Sequence, residues 1–304
     1  MIVSKIPNQI RNLKTLRYPK FQYSYKMIEE RSFKYFSSLD DGDEGIIYFS
    51  FPWTAYYASN GEYLQTNVPA KLYSELRSQY PTSLIFTVCQ WDGGPQIPLQ
   101  NCLVFASSGN FDSIYEDNSK YIPIPLLANT FRFDLFVPYF LRKRKGEFRG
   151  RNTFGLRYKM VESLKYSKFF SMRISKNSPF EFFNTILFYF GLCSNIFTLA
   201  PRGYGPASFR MYEAIKLGSI PIYISDEKWL PFEEELDWKS ISIISSGDNY
   251  NELEKIVVEK LQTKQYLTMH NNLKMVSKEF ISWQGTLKYI QRKVIQEFYG
   301  TRNL

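Results

Sequence analysis

LAPRGYGPASFRMYEAIKLGSIPIYISD, residues 199–226, changes texture four times, and the order of those changes decides the fold. Asn195 to Ala200 is apolar enough for a buried strand, and Arg202 to Pro206 is a loop with two glycines and a proline. Ser208 to Leu217 has the length and content of a short helix, with Gly218 placed to end it. Ile220 to Ser225 is a second strand, rich in branched residues. A strand–loop–helix–strand unit aims the helix N-terminus at whatever lies above the sheet. Free N–H groups and the helix dipole make that spot favourable for an anion. Arg202 in the loop and Arg210 on the helix add fixed positive charge, and Glu213 shares a helix face with Arg210. Arginines and N–H groups for a diphosphate, with a carboxylate nearby for sugar hydroxyls, suit a nucleotide-sugar.

The same alternation extends in both directions. Upstream, Gly45–Phe51, Ser83–Gln90 and Asn101–Ser107 read as strands, Ala70–Gln79 as a helix, and Ile122–Pro125 as a short proline-marked segment. Glu147–Arg149 is a further strand with Gly150-Arg151-Asn152 as its loop, followed by a helix over Gly155–Leu164 and a strand over Phe169–Ile174. Pro179 to Ala200 is dense in Phe, Ile and Leu, but Glu181, Asn184, Gly191, Ser194 and Asn195 interrupt it. A helix to about Phe190 and then a buried strand explains it better than a membrane span. Asn251–Leu261 and Leu287–Phe298 are amphipathic helices. The pattern is α/β throughout, with expected domains over 1–141 and 142–280 and a C-terminal helix over 281–304 packing back toward the first.

Composition narrows the function. A chain of 304 residues with 44% hydrophobic and 22% charged content is globular and has room for two domains. Net charge of +9 favours anionic ligands. The basic run Arg142–Lys145, continued by Arg149 and Arg151, reads first as a solvated linker and second as help with phosphates. No zinc-ligand pattern or nucleic-acid motif accompanies it. The aromatic content of 18% suits sugar stacking and core packing alike. Three cysteines without a CxxC pair argue against a disulfide framework, and the single histidine, His270, argues against a histidine metal site or a Ser-His-Asp triad. His270 lies in a polar helical stretch and reads as a surface residue. Met1–Lys20 has no apolar core of a signal peptide, so the expected location is the cytoplasm.

Pro201–Arg210, Tyr212-Glu213-Ala214-Ile215, Gly218, Ile220-Pro221-Ile222, Asp226, Leu230-Pro231-Phe232 and Asp237-Trp238 together resemble the exostosin family, glycosyltransferase family 47. The likeness is continuous from Leu199 to Ile243. Phe148-Arg149-Gly150 followed by Arg157 resembles the family's entry into its donor domain. The resemblance implies a GT-B fold, two Rossmann-like domains facing across a cleft. It implies a UDP-sugar donor on the C-terminal domain, a glycan acceptor on the N-terminal one, and inversion at the anomeric carbon with no obligatory metal or other cofactor. UDP-xylose is the first donor to consider, from likeness to members without a membrane anchor, among which are enzymes of large algal viruses. In that frame Arg202, Ser208 and Arg210 bind the diphosphate with Gly150, Arg151 and Arg157, and Glu213 accepts from the ribose hydroxyls.

Inverting transfer also needs a base for the acceptor hydroxyl. Asp92, in the glycine-rich loop Gln90-Trp91-Asp92-Gly93-Gly94 after a strand, is the candidate. It resembles the family's His-Asp pattern with Gln90-Trp91 ahead of the acid, and an Asx turn helped by Gly93 is the alternative reading. Asp112, Glu62 and Asp134 are reserves. The competing functional class is a carbohydrate- or nucleotide-binding module without catalysis.

Overall fold

The computed structural model describes residues 1–11, 13, 27–60, 67–109, 118–127, 136–151, 154–174 and 181–300. The chain divides into two compact units, Met1–Asn129 with Trp283–Leu304, and Thr130–Ser282. Each is α/β and each carries a five-stranded, all-parallel sheet. The reserves Asp112, Glu62 and Asp134 fall outside the described residues.

In the first unit β1 (Ile2–Val3), β2 (Ile46–Tyr48), β3 (Leu84–Cys89), β4 (Cys102–Ala106) and β5 (Lys120–Pro123) lie side by side in chain order. The helices are α1 (Asn8–Arg11), α2 (Ile28–Ser37), α3 (Trp53–Asn60) and α4 (Asn67–Gln79). Strands buried on both faces need near-continuous apolar runs, which β3 and β4 supply. The aromatic richness goes largely into this core. Tyr48 stacks on Phe86 at 4.8 Å, Phe36 meets both rings at 5.1 Å, and Phe49, Phe51, Trp53 and Tyr57 continue the cluster. Burying each such ring contributes about 1.5–3 kcal/mol. The C-terminal helix Trp283–Gly300 belongs to this unit. It buries Leu287, Ile290, Val294 and Phe298 at steps of three and four residues, and Gln291 accepts from the Tyr35 hydroxyl of α2 at 2.6 Å.

The second unit runs β6 (Lys143–Gly150), α5 (Gly155–Leu164), β7 (Phe170–Ile174), α6 (Glu181–Ser194), β8 (Asn195–Pro201), α7 (Phe209–Leu217), β9 (Ile220–Ile224), β10 (Ile243–Ser245), α8 (Tyr250–Gln262) and α9 (Gln265–Glu279). Its strand order is β10-β9-β8-β6-β7. The chain leaves β6 toward β7 and then returns to β8 on the opposite side of β6, so the sheet has a topological switch point between β6 and β8. Crevices at such points, outside the carboxyl ends of the strands, are where open α/β sheets bind ligands. The quoted stretch forms β8, its loop, α7 and β9. Gly218 ends α7 at φ +82°. A Cβ there would stand 2.9 Å from the Val137 carbonyl.

Two readings of the sequence are corrected. The basic run is no linker: Lys143 opens β6, and Arg142 is buried. The Arg142 guanidinium donates to the carbonyls of Val137 at 3.0 Å, Leu192 at 2.6 Å and Asn195 at 2.7 Å, and to that of Leu217. Leu192 and Leu217 are near or at the C-termini of α6 and α7, where carbonyls lack intrahelical donors and the dipole favours a cation. Burial pushes the Arg142 pKa down to about 10. His270 is likewise buried, with Nε2 3.2 Å from the Val137 carbonyl and its ring 4.9 Å from that of Phe136 and 5.7 Å from that of Tyr139. Burial lowers its pKa. Helical periodicity hid this inward face among polar neighbours. The segment before Arg142 is thus tied to the second unit, which is why the division falls at residue 130 and not at 142.

Each buried carbonyl stripped of its donor costs about 1–3 kcal/mol. Arg142→Met is expected to lower the urea-unfolding free energy by at least about 3 kcal/mol, since several carbonyls lose their partner together. Arg142→Lys should recover less than half, because one ammonium does not reproduce the planar fork.

Candidate functional site

The carboxyl ends of β6 and β8 and the N-terminus of α7 bring together every donor-side residue singled out in the sequence. Gly150 is the last residue of β6, and Arg202 follows β8 directly. The Arg202 N–H extends the ladder to the Ile224 carbonyl at 2.8 Å. Ser208 is the N-cap residue of α7, with extended backbone and no side-chain cap hydrogen bond. The residue is buried, and its hydroxyl stands at the helix entrance without being spent on the cap.

Arg210, in the first turn of α7, is buried. Its Nη2 donates to the Arg149 carbonyl at 2.7 Å, and the guanidinium lies over the rings of Phe148 at 4.5 Å and Phe188 at 5.5 Å. Desolvation first, and Arg157 second, bring its pKa down to about 9. Gly150 makes this placement possible, because a Cβ there would run into Arg210 Nη2. Glu213, one turn on, accepts from the Tyr189 hydroxyl at 3.3 Å, and burial raises its pKa to about 7 against the pull of Arg210. The two are not paired as a surface ion pair. The arginine is held by a backbone carbonyl and rings, the glutamate by a phenol.

Arg157, on α5, works as a tie. It donates to the carbonyls of Arg202 at 2.8 Å, Arg151 at 3.3 Å and Pro201 at 3.4 Å, and so joins the loops after β6 and β8. Arg151 itself is exposed. Arg202 is more committed than its sequence position implies. It pairs with Asp226 and, at 3.6 Å, with Glu227, donates to the Tyr204 carbonyl at 3.2 Å, and packs over the Phe154 ring at 4.7 Å. One polar atom is left over on each of two arginines: Arg202 Nε and Arg210 Nε are buried and have no hydrogen-bond partner. A buried N–H without an acceptor costs about 1–3 kcal/mol. Two such groups on cations at a helix N-terminus are an arrangement that an anion with several oxygens would complete.

Asp92 belongs to the first unit. It stands, half-buried, in the turn after β3, where the Gly94 N–H reaches the Trp91 carbonyl at 3.0 Å and Gly94 takes φ +67°. Gln90 and Ser108, at the ends of β3 and β4, each keep a buried polar atom without a partner, Nε2 and Oγ. The sequence reading gave no site role to Tyr189, Phe188 and Phe148, which contact Glu213 or Arg210, nor to Glu29, a buried carboxyl that accepts from the Gln90 N–H. The only signal for Glu29 was an acid flanked by Ile28, Ser32 and Phe36 on the buried side of a helix. Among the described residues no three His, Cys, Asp or Glu side chains gather as a metal-binding set, and no helix is long and apolar enough to cross a membrane.

Residues 143–260 match the exostosin GT47 domain model. They span the switch point and all the donor-side residues, and exclude Asp92. Relatives include an exostosin-1 homolog of Caenorhabditis elegans, 43% identical over 53 residues, covering 17% of this chain and 14% of that protein. A probable beta-1,4-xylosyltransferase of Arabidopsis thaliana, IRX10, is 31% identical over 106 residues, covering 33% and 26%. A probable glucuronosyltransferase of Oryza sativa subsp. japonica, GUT1, is 36% identical over 62 residues, covering 20% and 15%. The matched stretch is thus about a quarter or less of each of these relatives. Among solved structures, the pneumococcal O-GlcNAc transferase GtfA with UDP and GlcNAc gives a TM-score of 0.42 at 12% identity, over 88% of this chain and 59% of that one. Anabaena HepE with UDP-glucose gives 0.42 at 12% identity, over 83% and 79%. Through residues 143–260, which hold the switch point and α7, the chain is similar to the exostosin GT47 domain.

Proposed function

We propose that this protein is an inverting glycosyltransferase that takes a sugar from a UDP-sugar bound on the second unit and passes it to a glycan acceptor. The observation that carries the reading is the pair of buried, unpartnered guanidinium N–H groups of Arg202 and Arg210 at the switch point beside the N-terminus of α7. The family match supports it over the same residues. In this reading the diphosphate lies across the entrance to α7. Arg210, the Ser208 hydroxyl and the first N–H groups of the helix take up the negative charge that grows on the leaving group as the glycosidic bond to phosphate breaks. Arg202 adds its Nε, and Arg157 and Gly150 keep the two loops and the Arg210 guanidinium in register. The transfer needs no metal, since the cations and helix dipole serve the leaving diphosphate. Glu213 accepts from the ribose hydroxyls, and its Tyr189 partner orients the carboxylate. Asp92, from the unit that receives the acceptor, takes the proton from the attacking hydroxyl as the new bond forms. The relatives' names make xylose and glucuronic acid the first donors to test, with UDP-xylose ahead. A pocket exchanges one sugar for another through contacts worth only about 1–3 kcal/mol.

Turnover of a panel of UDP-sugars, read as UDP release, tests the function, and no release from any of them would leave only a binding module. Glu213→Ala and Arg210→Ala are each expected to weaken UDP binding at least tenfold, about 1.4 kcal/mol or more, in calorimetric titration. Unchanged affinity removes that residue from the site. Gly150→Ala should copy the Arg210→Ala loss while leaving the unfolding midpoint nearly in place, because the methyl displaces the guanidinium and little else. Asp92→Asn is expected to cut transfer by about a hundredfold or more with UDP affinity unchanged, and an active Asp92→Asn enzyme excludes Asp92 as the base.

A further inference from the structure

Glu29 is the second residue of α2 and is buried, with no basic group among those acting on it. Its carboxyl accepts from the Thr54 N–H at 3.1–3.2 Å, from the Thr54 hydroxyl at 2.8 Å and from the Gln90 N–H at 2.8 Å. Thr54 is the second residue of α3, and Gln90 is the first residue after β3, two before Asp92. The contact is returned, since the Gln90 side-chain oxygen accepts from the Ile28 N–H at 3.3 Å. One carboxyl thus joins two helix N-termini to the start of the Asp92 turn. Packing does not require an acid here. A buried carboxyl without a cation is expensive to keep, and an amide oxygen would accept from the same donors at lower cost.

We propose that Glu29 is a positioning residue for sugar transfer: through the Gln90 N–H and the two Thr54 donors it fixes the turn that carries Asp92, without touching either substrate. The inference rests on the reading of Asp92 as the base. The surroundings add a direction with pH. Burial first, and the Glu30 carboxylate second, push the Glu29 pKa up to about 8. Tyr48 on β2 and Cys89 on β3 face it and have their own pKa values raised, in part by its charge, and Asp92 acts on the same thiol. The nearby cations serve others, Arg11 acting on Tyr48 and Arg31 facing Glu30. Burial therefore favours the protonated acid in the neutral range. Because the folded-state pKa lies above the ordinary one, the folded protein binds the extra proton between the two values. Its contribution to stability is complete below the ordinary carboxylate pKa and is lost as pH rises through about 8.

The test compares the full chain with Glu29→Gln, Glu29→Ala and Asp92→Asn. The readouts are UDP affinity, kcat and KM between pH 6 and 9 on whichever of UDP-xylose, UDP-glucuronic acid, UDP-galactose and UDP-N-acetylglucosamine turns over fastest, and amide exchange at residues 90–94. The unsubstituted protein is expected to lose kcat as pH rises through about 8, and Glu29→Gln, which mimics the neutral acid, should keep kcat at pH 7 within twofold and show no such fall. Glu29→Ala should drop kcat at least tenfold with UDP affinity and donor KM within twofold, and exchange at 90–94 should rise. A Glu29→Gln protein that keeps the alkaline fall, or a Glu29→Ala protein with unchanged kcat or unchanged exchange, overturns the proposal. An active Asp92→Asn protein fails the base assignment alone. Exchange at 90–94 judges the Glu29 clamp in either case.

Discussion

Arg142 is the contact on which the second unit is organised. One guanidinium collects carbonyls from the end of α6, the start of β8, the end of α7 and the segment before β6. Two helices therefore terminate against the same cation, and the strand between them begins there. The opposite end of that strand delivers Arg202, and the helix that follows delivers Arg210 and Glu213. A buried arginine is tolerable because its five donors meet acceptors that the helix geometry leaves open. Gly218 completes the arrangement, for only a residue without a Cβ turns the chain at φ +82° so close to the Val137 carbonyl.

The site at the other end follows the reverse logic. Arg210 and Glu213 are buried close together on one helix but are satisfied separately, by a carbonyl and rings on one side and a phenol on the other. Burial pulls their pKa values toward each other, to about 9 and about 7. Groups whose charge burial makes this costly are poised to gain from a ligand that supplies the missing partners. Glu29 in the first unit is buried too, but it is answered by protein groups alone. Its three donors come from backbone and hydroxyl, and no cation settles its charge.

The alternation of strands and helices was legible because buried parallel strands demand apolar runs, and β8, β9, β3 and β4 have them. Helix ends were legible where one residue type is almost compulsory, as at Gly218. The basic run at 142–145 misled because charge density was read as solvation, while Arg142 was answering carbonyls far off in the chain. His270 misled for a related reason: its polar neighbours on the helix concealed the one face turned toward Phe136 and Tyr139.

By itself the sequence determined the α/β class and the strand–loop–helix unit around residues 199–226. It also determined the set of arginines and the glutamate gathered at the head of that unit, since all of these rest on local periodicity and on spacing along one helix. Only the tertiary structure decided what each group does with its charge. It committed Arg202 to Asp226, turned Arg157 into a tie between loops, laid Arg210 against Gly150 and brought Glu29 beneath the Asp92 turn. Those outcomes depend on burial and on acceptors tens of residues away, and neither leaves a period in the chain.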